Sequence, residues 1–443
     1  MILTRSPPNL TEMACECFPE LKNTSAEHFK SVSCPEVEFI ITCCAPTLNL
    51  SSKRGIYSYD DFMTLGNATD MDNVYKVGAS LDMDDPCCIY FTSGSTGMPK
   101  PTVHSHHGML NNTVVFGLGF RTEVENFDCD WESARFMTAV TFSGHGGSLG
   151  IFIPLVRGSA TIVLYPAFNA EIMAEAIQNE RVTHGCAMIH QVNDLVNLPN
   201  IDTYDFSNFK LMTMGGSIIP YELRQKMNKL VQYTTNVFGM TEALILFLGH
   251  PLDPQKKQDD AAVYPAGGLE TKIVDENGLI VLVGTNGELQ VRGYSMFKYY
   301  MYDEVKTKAM KDNNGWIHTG DLAVMDEDGF IRINGRIKDN IIKEGLNLAP
   351  AELEAVLYEH QKVQAALVVG LPDERVGEEI CASLRVDKTD PPTEEEIREF
   401  CRGKVNDKLV PKHVIFLDTF PVTATGKFSR IEMIEIVTKK LNL

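Results

Sequence analysis

The sequence lacks a long apolar run and has little positive charge for its size. Lys and Arg together number 40 against 59 Asp and Glu, so the formal net charge of the 443 residues is −19. A membrane-spanning helix needs about 18 or more consecutive apolar residues. No such run is present, so we expect no transmembrane segment. The acidic balance also argues against nucleic acid as a partner, because no strong basic patch offsets it.

Zinc-type cysteine pairs are missing as well. The 11 cysteines are odd in number and irregular in spacing, and the nearest approach to a ligand pair is Cys15-x-Cys17. Two adjacent pairs, Cys43–Cys44 and Cys87–Cys88, lie within apolar runs. This is typical of small buried hydrophobes in a reducing compartment. We therefore expect an intracellular protein of the cytoplasm or of an organelle such as the mitochondrion.

The order of apolar and turn-forming segments predicts an α/β protein with two lobes. Strand and helix patterns alternate from Cys87 to Leu230, which indicates a mostly parallel sheet covered by helices. From about Gly267, short β-like segments with glycine turns predict an antiparallel, barrel-like subdomain. The stretch from Lys338 onward mixes strands and helices. We expect a large lobe over residues 1–337 and a small α+β domain over residues 338–443.

Several individual segments carry definite expectations. Near the start, Glu36–Thr42 is typical of a strand, and Ser58 or Asp60 is expected to cap a helix over Tyr57–Leu65. The polar stretch over residues 66–85 predicts a loop. A buried strand is predicted over residues 87–91, followed by a glycine-rich loop and a helix that begins near Ser105.

The glycine-rich loop combines hydroxyl groups, glycines and a lysine. It reads Thr92-Ser93-Gly94-Ser95-Thr96-Gly97-Met98-Pro99-Lys100. Glycines let backbone N–H groups approach an anion, hydroxyls donate to phosphate oxygens, and Lys100 supplies positive charge. The spacing is not that of a Walker A loop, GxxxxGK[ST]. For the loop by itself, a solvated polar turn is the alternative.

The full string resembles the phosphate loop of the adenylate-forming superfamily, which includes acyl-CoA synthetases, 4-coumarate–CoA ligases, firefly luciferase and the adenylation domains of peptide synthetases. Five further segments resemble motifs of that family, in the same order along the chain. They are Gly215-Gly216-Ser217-Ile218-Ile219-Pro220, Phe238-Gly239-Met240-Thr241-Glu242, Gly315-Trp316-Ile317-His318-Thr319-Gly320-Asp321, Gly335-Arg336-Ile337-Lys338-Asp339 and Thr423-Ala424-Thr425-Gly426-Lys427. The resemblance covers the chain from about residue 87 to residue 427.

By this resemblance, the phosphate loop, Gly215–Ser217 and Phe238–Gly239 bind the nucleotide. Phe238 offers a flat face for adenine, although a core phenylalanine is the alternative. Thr241 is expected to donate to the α-phosphate. Glu242 suits Mg²⁺, a hard cation that prefers carboxylate oxygen.

The resemblance also assigns the ribose and the catalytic step. Asp321 is expected to hold the ribose hydroxyls and Arg336 to bind ribose or phosphate, with a turn aspartate as the alternative for Asp321. Lys427 is the expected catalytic lysine, since it can bridge a carboxylate and the α-phosphate. Without the resemblance, a surface lysine would be preferred. Lys338 is the expected hinge, about which the small C-terminal domain swings between two half-reactions.

Four histidines lie near these motifs. His145 is expected near the carboxylate pocket and is counted among the catalytic residues, with a loop histidine as the alternative. His104, His106 and His107 follow the phosphate loop, and we expect them to be surface residues at a helix N-terminus rather than ligands.

Three features depart from the family's pattern. The chain before the phosphate loop is shorter than the family generally has, which predicts an N-terminally short lobe and leaves the compartment open. Pro101 follows the loop lysine where glycine is usual. Glu344 stands where the family commonly has glycine, and this acid is expected to hinder the thioester step.

Taken with the resemblance, the sequence predicts an acid–thiol ligase. The enzyme would use ATP, Mg²⁺ and coenzyme A to convert a carboxylic acid to its CoA thioester through an acyl-adenylate. An apolar middle region favours a medium- to long-chain fatty acid; it contains Met137, Phe142, Ile151 and Phe152. Luciferase-type oxidation shares the motifs. The rival interpretation is a truncated, non-catalytic relative that binds a nucleotide or a partner. The sequence leaves the oligomeric state open.

Overall fold

The structure is a computed structural model of the chain. It describes residues 2–3, 16–22, 30–32, 34–37, 39–42, 56–92, 99–119, 133–140, 144–163, 168–216, 219–423 and 427–443. The chain divides into two units, Met1–Asp82 with Tyr165–Phe168, and Met83–Leu164 with Asn169–Leu443. No helix in the described part of the chain is both long and apolar enough to cross a membrane.

In the described part of the first unit, three short strands pair in parallel, and helices cover Tyr59–Met63 and Ala68–Ser80. Strand β2 lies between β1 and β3, and a 3-10 turn over Pro19–Lys22 precedes β2. The predicted cap is confirmed, because the Ser58 hydroxyl accepts a hydrogen bond from the Asp61 N–H at 3.0 Å. The elements are β1 (Ile2–Leu3), β2 (Ile40–Thr42), β3 (Ile56–Ser58), α1 (Tyr59–Met63) and α2 (Ala68–Ser80).

The expected loop over residues 66–85 was wrong, because most of this stretch forms helix α2. Asn67 and Asp70 form a reciprocal cap at its start. The Asn67 N–H donates to Asp70 Oδ2 at 3.0 Å, and the Asp70 N–H donates to Asn67 Oδ1 at 3.3 Å. Capping of this kind satisfies free N–H groups at a helix start, so a polar segment with few buried residues can still be helical.

A β-hairpin flanks the glycine-rich loop in the second unit. Strand β4 (Pro86–Phe91) pairs antiparallel with β5 (Pro101–Ser105), which leads into helix α3 (His106–Gly119). The sequence predicted β4 and α3 but missed β5. It also predicted that β4 is buried, whereas only Tyr90 in it is buried, because β4 is the edge strand of its sheet.

A seven-stranded sheet forms the centre of the second unit. The strand order is β12-β11-β10-β9-β8-β6-β7. Strands β6 to β10 run parallel to one another, β11 pairs antiparallel with β10, and β12 pairs antiparallel with β11. This confirms the predicted mostly parallel sheet. The strands are β6 (Arg135–Thr138), β7 (Ala160–Val163), β8 (His184–Met188), β9 (Leu211–Gly215), β10 (Tyr233–Met240), β11 (Leu244–Leu248) and β12 (Tyr264–Pro265). The helices among them are α4 (His145–Arg157), α5 (Ala170–Asn179), α6 (Ile189–Val196), α7 (Tyr221–Met227) and α8 (Gln255–Asp259), with a 3-10 turn at Ile201–Thr203.

The predicted antiparallel subdomain is an open sheet rather than a closed barrel. Its order is β13-β14-β16-β17, and the short strand β15 pairs instead with β5. The β-like segment Ile280–Leu282 forms only an isolated bridge, between Ile280 and Val274. Ile280 and Leu282 are exposed, and Val281 packs against the core of this sheet. The elements are β13 (Leu269–Val274), β14 (Gly287–Gly293), β15 (Tyr299–Tyr300), α9 (Glu304–Met310), β16 (Ile317–Met325) and β17 (Ile331–Arg336).

The last hundred residues form a five-stranded sheet with its own apolar core. The order is β19-β18-β21-β20, and β22 pairs in parallel with β21. Leu353 and Leu357 of α10 are fully buried against this sheet. The elements are β18 (Ile341–Lys343), β19 (Leu346–Leu348), α10 (Pro350–Tyr358), β20 (Val363–Asp373), β21 (Gly377–Val386), α11 (Glu394–Cys401), β22 (His413–Phe416) and α12 (Arg430–Leu441), with 3-10 turns at Ile337–Asp339 and Asp407–Leu409. The sequence over residues 394–409 predicts a single helix. In the structure this helix ends early, at Cys401.

This core gives a first prediction. Leu353→Ala should lower the free energy of unfolding by about 2–5 kcal/mol, because it removes a fully buried side chain and leaves a cavity. Leu282→Ala is the matched control, since Leu282 is 83% exposed and its truncation should change stability by less than about 0.5 kcal/mol. Thermal unfolding of both variants and the parent checks this. Equal unfolding temperatures for all three would contradict the placement of Leu353 in a core.

Candidate active site

The base of the glycine-rich loop is closed by two hydrogen bonds. The Thr92 N–H donates to the Lys100 carbonyl at 3.0 Å, and the Lys100 N–H donates to Thr92 Oγ1 at 3.2 Å. The predicted loop residues between them lie outside the described residues; they are Ser93, Gly94, Ser95, Thr96 and Gly97. Lys100 Nζ lies 3.2 Å from the hydroxyl of Tyr300 and 4.5 Å from the centroid of its ring.

The Thr241–Glu242 turn joins β10 to β11. Gly239 is required just before it, because a Cβ there would lie 2.3 Å from the Leu244 carbonyl oxygen. Glu242 is buried, and its Oε1 accepts a hydrogen bond from the Tyr300 hydroxyl. Burial and the neighbouring Glu242 carboxylate raise the pKa of Tyr300 well above its ordinary value. The structure thus brings Lys100 and Glu242 together through Tyr300, a residue that sequence reasoning missed.

His104 is a correction to the sequence-based expectation. It lies on β5 with no exposed surface, whereas His106 and His107 at the start of α3 are half-buried. His104 Nε2 is 2.7 Å from the Thr241 carbonyl oxygen. A carbonyl only accepts, so Nε2 carries the proton. Nδ1 is then an acceptor, buried with no partner among the described residues. Burial lowers the pKa of His104 to about 4.

Asp321 and Arg336 form a partly buried ion pair across two strands. The pairing of β16 with β17 places them opposite each other, and Arg336 Nε lies 2.8 Å from Asp321 Oδ1. Asp321 is almost fully buried, and its Oδ2 has no hydrogen-bond partner in the described structure. Burial raises the pKa of Asp321 to about 6, although the charges of Arg336 and Lys427 oppose this rise.

Lys427 lies among these groups. Its Cε is 3.8 Å from the position that a Cβ on Gly216 would occupy. Burial, followed by the charge of Arg336, lowers the pKa of Lys427, while the carboxylates of Asp321 and Glu242 raise it. The charges of Arg336, Asp321 and Glu242 therefore act on the Lys427 ammonium group. The Thr423 N–H donates to the Lys427 carbonyl at 2.7 Å.

His145 begins helix α4 close to the same lysine. Burial lowers the pKa of His145 to about 3, and the charges of Lys427 and His104 contribute. The imidazole is therefore neutral near pH 7. Its predicted role at the carboxylate pocket stays a prediction.

The two glycines at the end of β9 lie at positions too crowded for a side chain. A Cβ on Gly215 would lie 2.7 Å from Val237 Cγ1, and one on Gly216 would lie 2.1 Å from Met188 Cε. Gly216 also has a φ of +90°, which favours glycine. Ser217 lies outside the described residues. Phe238 is half-buried beside Phe247, at a ring-centroid distance of 5.8 Å, and its contact with adenine stays a prediction.

Lys338 lies in the 3-10 turn Ile337–Asp339, which connects β17 to β18. Its position between the open sheet and the C-terminal sheet is the one expected of a hinge, although hinge motion itself stays a prediction. An ion pair joins the C-terminal sheet to helix α6 of the central sheet region: Arg385 Nη2 of β21 lies 2.6 Å from Asp194 Oδ1. Beside it, the rings of His190 and Phe428 are 5.8 Å apart.

The predicted departure at Glu344 has a backbone counterpart. Glu344 has a φ of +51°, in the left-handed region that favours glycine, and its carboxylate lies 2.6 Å from Lys408 Nζ. An acid therefore occupies a backbone position suited to glycine. Whether it hinders the thioester step stays a prediction.

The charges around Lys427 are suited to a polyanionic substrate. Three cationic side chains, Lys100, Arg336 and Lys427, lie near the carboxyl groups of Glu242 and Asp321. Such an arrangement can bind phosphates while one carboxylate holds a cation. Within the described ranges, no three His, Cys, Asp or Glu side chains cluster as a metal site.

Comparison with known proteins identifies the class. The family described as AMP-binding enzyme matches residues 22–301, and the AMP-binding enzyme C-terminal domain matches residues 352–427. The first match alone covers more than half of the chain, so the chain belongs to the AMP-binding enzyme family. It is an acid–thiol ligase of the adenylate-forming class, whose members use ATP and CoA.

Individual relatives agree with this class. The chain is 31% identical over 444 residues to the medium-chain acyl-CoA ligase ACSF2, mitochondrial, of Rattus norvegicus, and the match covers 98% of this chain and 70% of that one. It is 30% identical over 442 residues to YngI of Bacillus subtilis (strain 168), named as an acyl-CoA synthetase, with 96% and 76% covered. The fold matches the anthranilate CoA ligase AuaEII in complex with anthranoyl-AMP at a TM-score of 0.80 and 21% identity, covering 100% of this chain and 78% of that chain.

The geometry of Gly216 gives a second prediction. Gly216→Ala should destabilise the protein by about 1–3 kcal/mol, because a Cβ is strained at a φ of +90° and would collide with Met188. Gly66→Ala serves as the control, since a Cβ there would meet no atom within 4 Å. Thermal unfolding measures both changes. An unaltered Gly216→Ala variant would show that the backbone at this position is not held in the left-handed region.

Proposed function

We propose that this chain forms an acyl-CoA thioester from a medium- to long-chain fatty acid, ATP and CoA. The reaction passes through an acyl-adenylate and releases AMP and pyrophosphate. The observation that carries the proposal is the placement of Lys427 beside Gly216, Asp321, Arg336 and Glu242. All five residues belong to segments that resemble motifs of the family.

Lys427 suits the first half-reaction for an electrostatic reason. A carboxylate oxygen of the acid attacks the α-phosphorus of ATP, and the bond from that phosphorus to the pyrophosphate oxygen breaks. Two anions must approach each other, and charge builds up on the α-phosphate oxygens. An ammonium group between them stabilises that charge.

The described residues fit ATP. The buried, unpartnered Oδ2 of Asp321 is an acceptor that a ribose hydroxyl would satisfy. Arg336 and Lys100 supply charge for phosphates. The resemblance adds Thr241 at the α-phosphate, Phe238 and Gly239 beside adenine, and Ser217 with the phosphate-loop residues.

Glu242 is the proposed Mg²⁺ ligand. Mg²⁺ is usually bound through one or two carboxylates together with substrate phosphates, and Glu242 meets that demand beside Lys100. The ion would neutralise part of the phosphate charge. Hydrogen bonds from neighbouring segments hold the main-chain carbonyls of Thr241 and Glu242. The Glu242 carboxylate therefore projects from a fixed backbone position.

The second half-reaction transfers the acyl group. The CoA thiolate attacks the acyl carbonyl, a C–S bond forms, and the bond to the AMP oxygen breaks. We propose that the segment after Lys338 rotates between the two steps and withdraws Lys427, and that neutral His145 lines the carboxylate site.

The names of the relatives support the choice of acid. Rat ACSF2 is named a medium-chain acyl-CoA ligase, and we extend that class to this chain. The apolar residues that suggested a fatty acid give less support. Met137 is fully buried and Phe152 is 43% exposed, Phe142 lies outside the described residues, and the side chain of Ile151 is likewise not described.

The proposed compartment is intracellular and reducing, either the cytoplasm or an organelle. Free thiols in the described part of the chain include those of Cys34, Cys87, Cys88, Cys186, Cys381 and Cys401. Free thiols persist in reducing compartments. The mitochondrial ACSF2 relatives favour the mitochondrion among the organelles.

The direct test is product analysis. The purified chain is incubated with ATP, Mg²⁺, CoA and a panel of fatty and aromatic acids, and thioesters are identified by mass spectrometry. We expect thioesters of fatty acids from one chain-length range. Thioesters of aromatic acids alone would overturn the fatty-acid proposal. A folded protein that binds ATP without any product would favour the non-catalytic interpretation.

The third prediction separates the two half-reactions. Lys427→Ala should slow acyl-adenylate formation by about 100-fold or more, because the charge at the reacting phosphorus is lost. Binding of ATP should change little, and synthetic acyl-adenylate should still yield thioester when CoA is added. Lys440→Ala, which truncates an exposed lysine of α12, is the control. Adenylate formation at the parent rate by Lys427→Ala would remove this residue from the mechanism.

The fourth prediction concerns pH. Because the pKa of Asp321 is raised to about 6, its ionised form, which accepts ribose hydroxyls, is present above that pH and is lost below it. Affinity for ATP should therefore rise about tenfold between pH 5 and 7, as the ionised fraction does for such a pKa. Asp321→Asn should bind weakly and lack this increment, which leaves only the titration of the nucleotide itself. Calorimetric titrations at several pH values test this, and identical pH profiles for both proteins would contradict it.

A further inference from the structure

Tyr300 lies between the phosphate-loop lysine and the proposed metal ligand. It belongs to β15, which pairs with β5 so that Tyr300 is opposite Thr102. Only 2% of its surface is exposed. Its hydroxyl contacts two charged side chains: it donates to Glu242 Oε1, and it lies 3.2 Å from Lys100 Nζ.

The direction of these hydrogen bonds follows from the groups themselves. A lysine ammonium has three donors and no lone pair, so the hydroxyl of Tyr300 accepts from Lys100. A phenol has a single proton, and that proton is then free to point at Glu242. The chain Lys100–Tyr300–Glu242 therefore has one polarity and links a cation to a carboxylate.

The main chain of the Thr241–Glu242 turn is held independently of this hydroxyl. The His104 Nε2–H donates to the Thr241 carbonyl at 2.7 Å, and the Phe297 N–H donates to the Glu242 carbonyl at 2.7 Å. The backbone is thus fixed from the side of β5 and β15. The hydroxyl of Tyr300 acts on the carboxylate alone, so its removal should leave the turn in place.

We propose that Tyr300 is a positioning residue, which fixes the Glu242 carboxylate for the metal ion and ties it to Lys100. This inference rests on the proposed function of the site. Because the same hydroxyl contacts both charged groups, metal binding at Glu242 and phosphate binding at Lys100 are coupled through Tyr300. A phosphate that draws Lys100 away from the hydroxyl changes the hydrogen bonding at Glu242 as well.

The purely structural alternative is that Tyr300 only fills the core. Its ring packs at 4.8 Å from the ring of Phe297, and Lys100 Nζ lies over its face. Tyr300→Phe keeps this packing and removes only the hydroxyl, so it separates the two roles. Tyr299→Phe is the matched control, since Tyr299 is the neighbouring tyrosine on the same strand and is 40% exposed.

The test is the Mg²⁺ dependence of acyl-adenylate formation at saturating ATP and fatty acid. For Tyr300→Phe, we expect the half-saturating Mg²⁺ concentration to rise about tenfold or more, because a hydrogen bond to a charged group is lost. Tyr299→Phe should match the parent within about twofold. An unchanged Mg²⁺ dependence in Tyr300→Phe would overturn the proposal.

A double variant keeps the test specific. In a Glu242→Gln background, adding Tyr300→Phe should change the Mg²⁺ dependence by less than about twofold, since the tyrosine acts through Glu242. An effect as large as in the parent background would assign Tyr300 a general packing role and refute the inference.

A binding measurement separates this inference from the proposed function. Binding of α,β-methylene ATP, which cannot transfer its adenylyl group because its α–β bridge is not cleaved, is measured by calorimetry over a Mg²⁺ series for the parent and Tyr300→Phe. If the parent binds the analogue with Mg²⁺ but makes no adenylate, the proposed function fails, while the shift in Mg²⁺ dependence still decides the role of Tyr300. Equal Mg²⁺ dependence in both proteins defeats the role of Tyr300 whether or not adenylate forms.

Discussion

The pairing of β16 with β17 is the constraint on which the site depends. It places Asp321 opposite Arg336, and it buries the Asp321 carboxyl group. Arg336 ends β17, so the chain that leads to the C-terminal sheet departs from the site itself. Lys427, near the end of the chain, returns to this same pair. A shift of this register would misplace the buried acceptor and the origin of the C-terminal segment together.

Burial of Asp321 also carries a thermodynamic cost. Its carboxyl group has a raised pKa, so the folded state holds this proton more tightly than the unfolded state does. The resulting stabilisation is present at low pH and is lost as pH rises from about 4 through about 6. The protein therefore keeps, at neutral pH, a charged acceptor that works against its own folding. An unsatisfied buried oxygen of this kind is more readily explained by a ligand than by the fold.

Patterns within short segments of the sequence predicted the structural features that depend on residues adjacent along the chain. A hydroxyl side chain predicts the cap at Ser58, and a proline at a helix start predicts the helix Pro350–Tyr358. Short apolar runs predict the mostly parallel central sheet. The glycine pair at residues 215–216 belongs to a motif that the sequence resembles, and the structure leaves no space there for a side chain. These features need only neighbours along the chain to be recognised.

The misses came from contacts between distant segments. His104 was expected at the surface, because its neighbours are polar and its burial under the Thr241 turn is set 137 residues later. Tyr300 carried no motif signal, because its role depends on Lys100, which immediately precedes β5, and on Glu242, which lies in the turn between β10 and β11. The helix over Ala68–Ser80 was missed for a different reason, since its start depends on a reciprocal side-chain cap rather than on an apolar stripe.

The ion pair between Arg385 and Asp194 bears on how easily the C-terminal segment can leave. Both side chains are about one-quarter to one-third exposed, and such pairs contribute roughly 0–1 kcal/mol to stability. That is comparable to thermal energy. If the segment moves as the family resemblance implies, this ion pair stabilises one orientation of the segment only weakly. It does not make release of the segment slow, and it weakens as ionic strength rises.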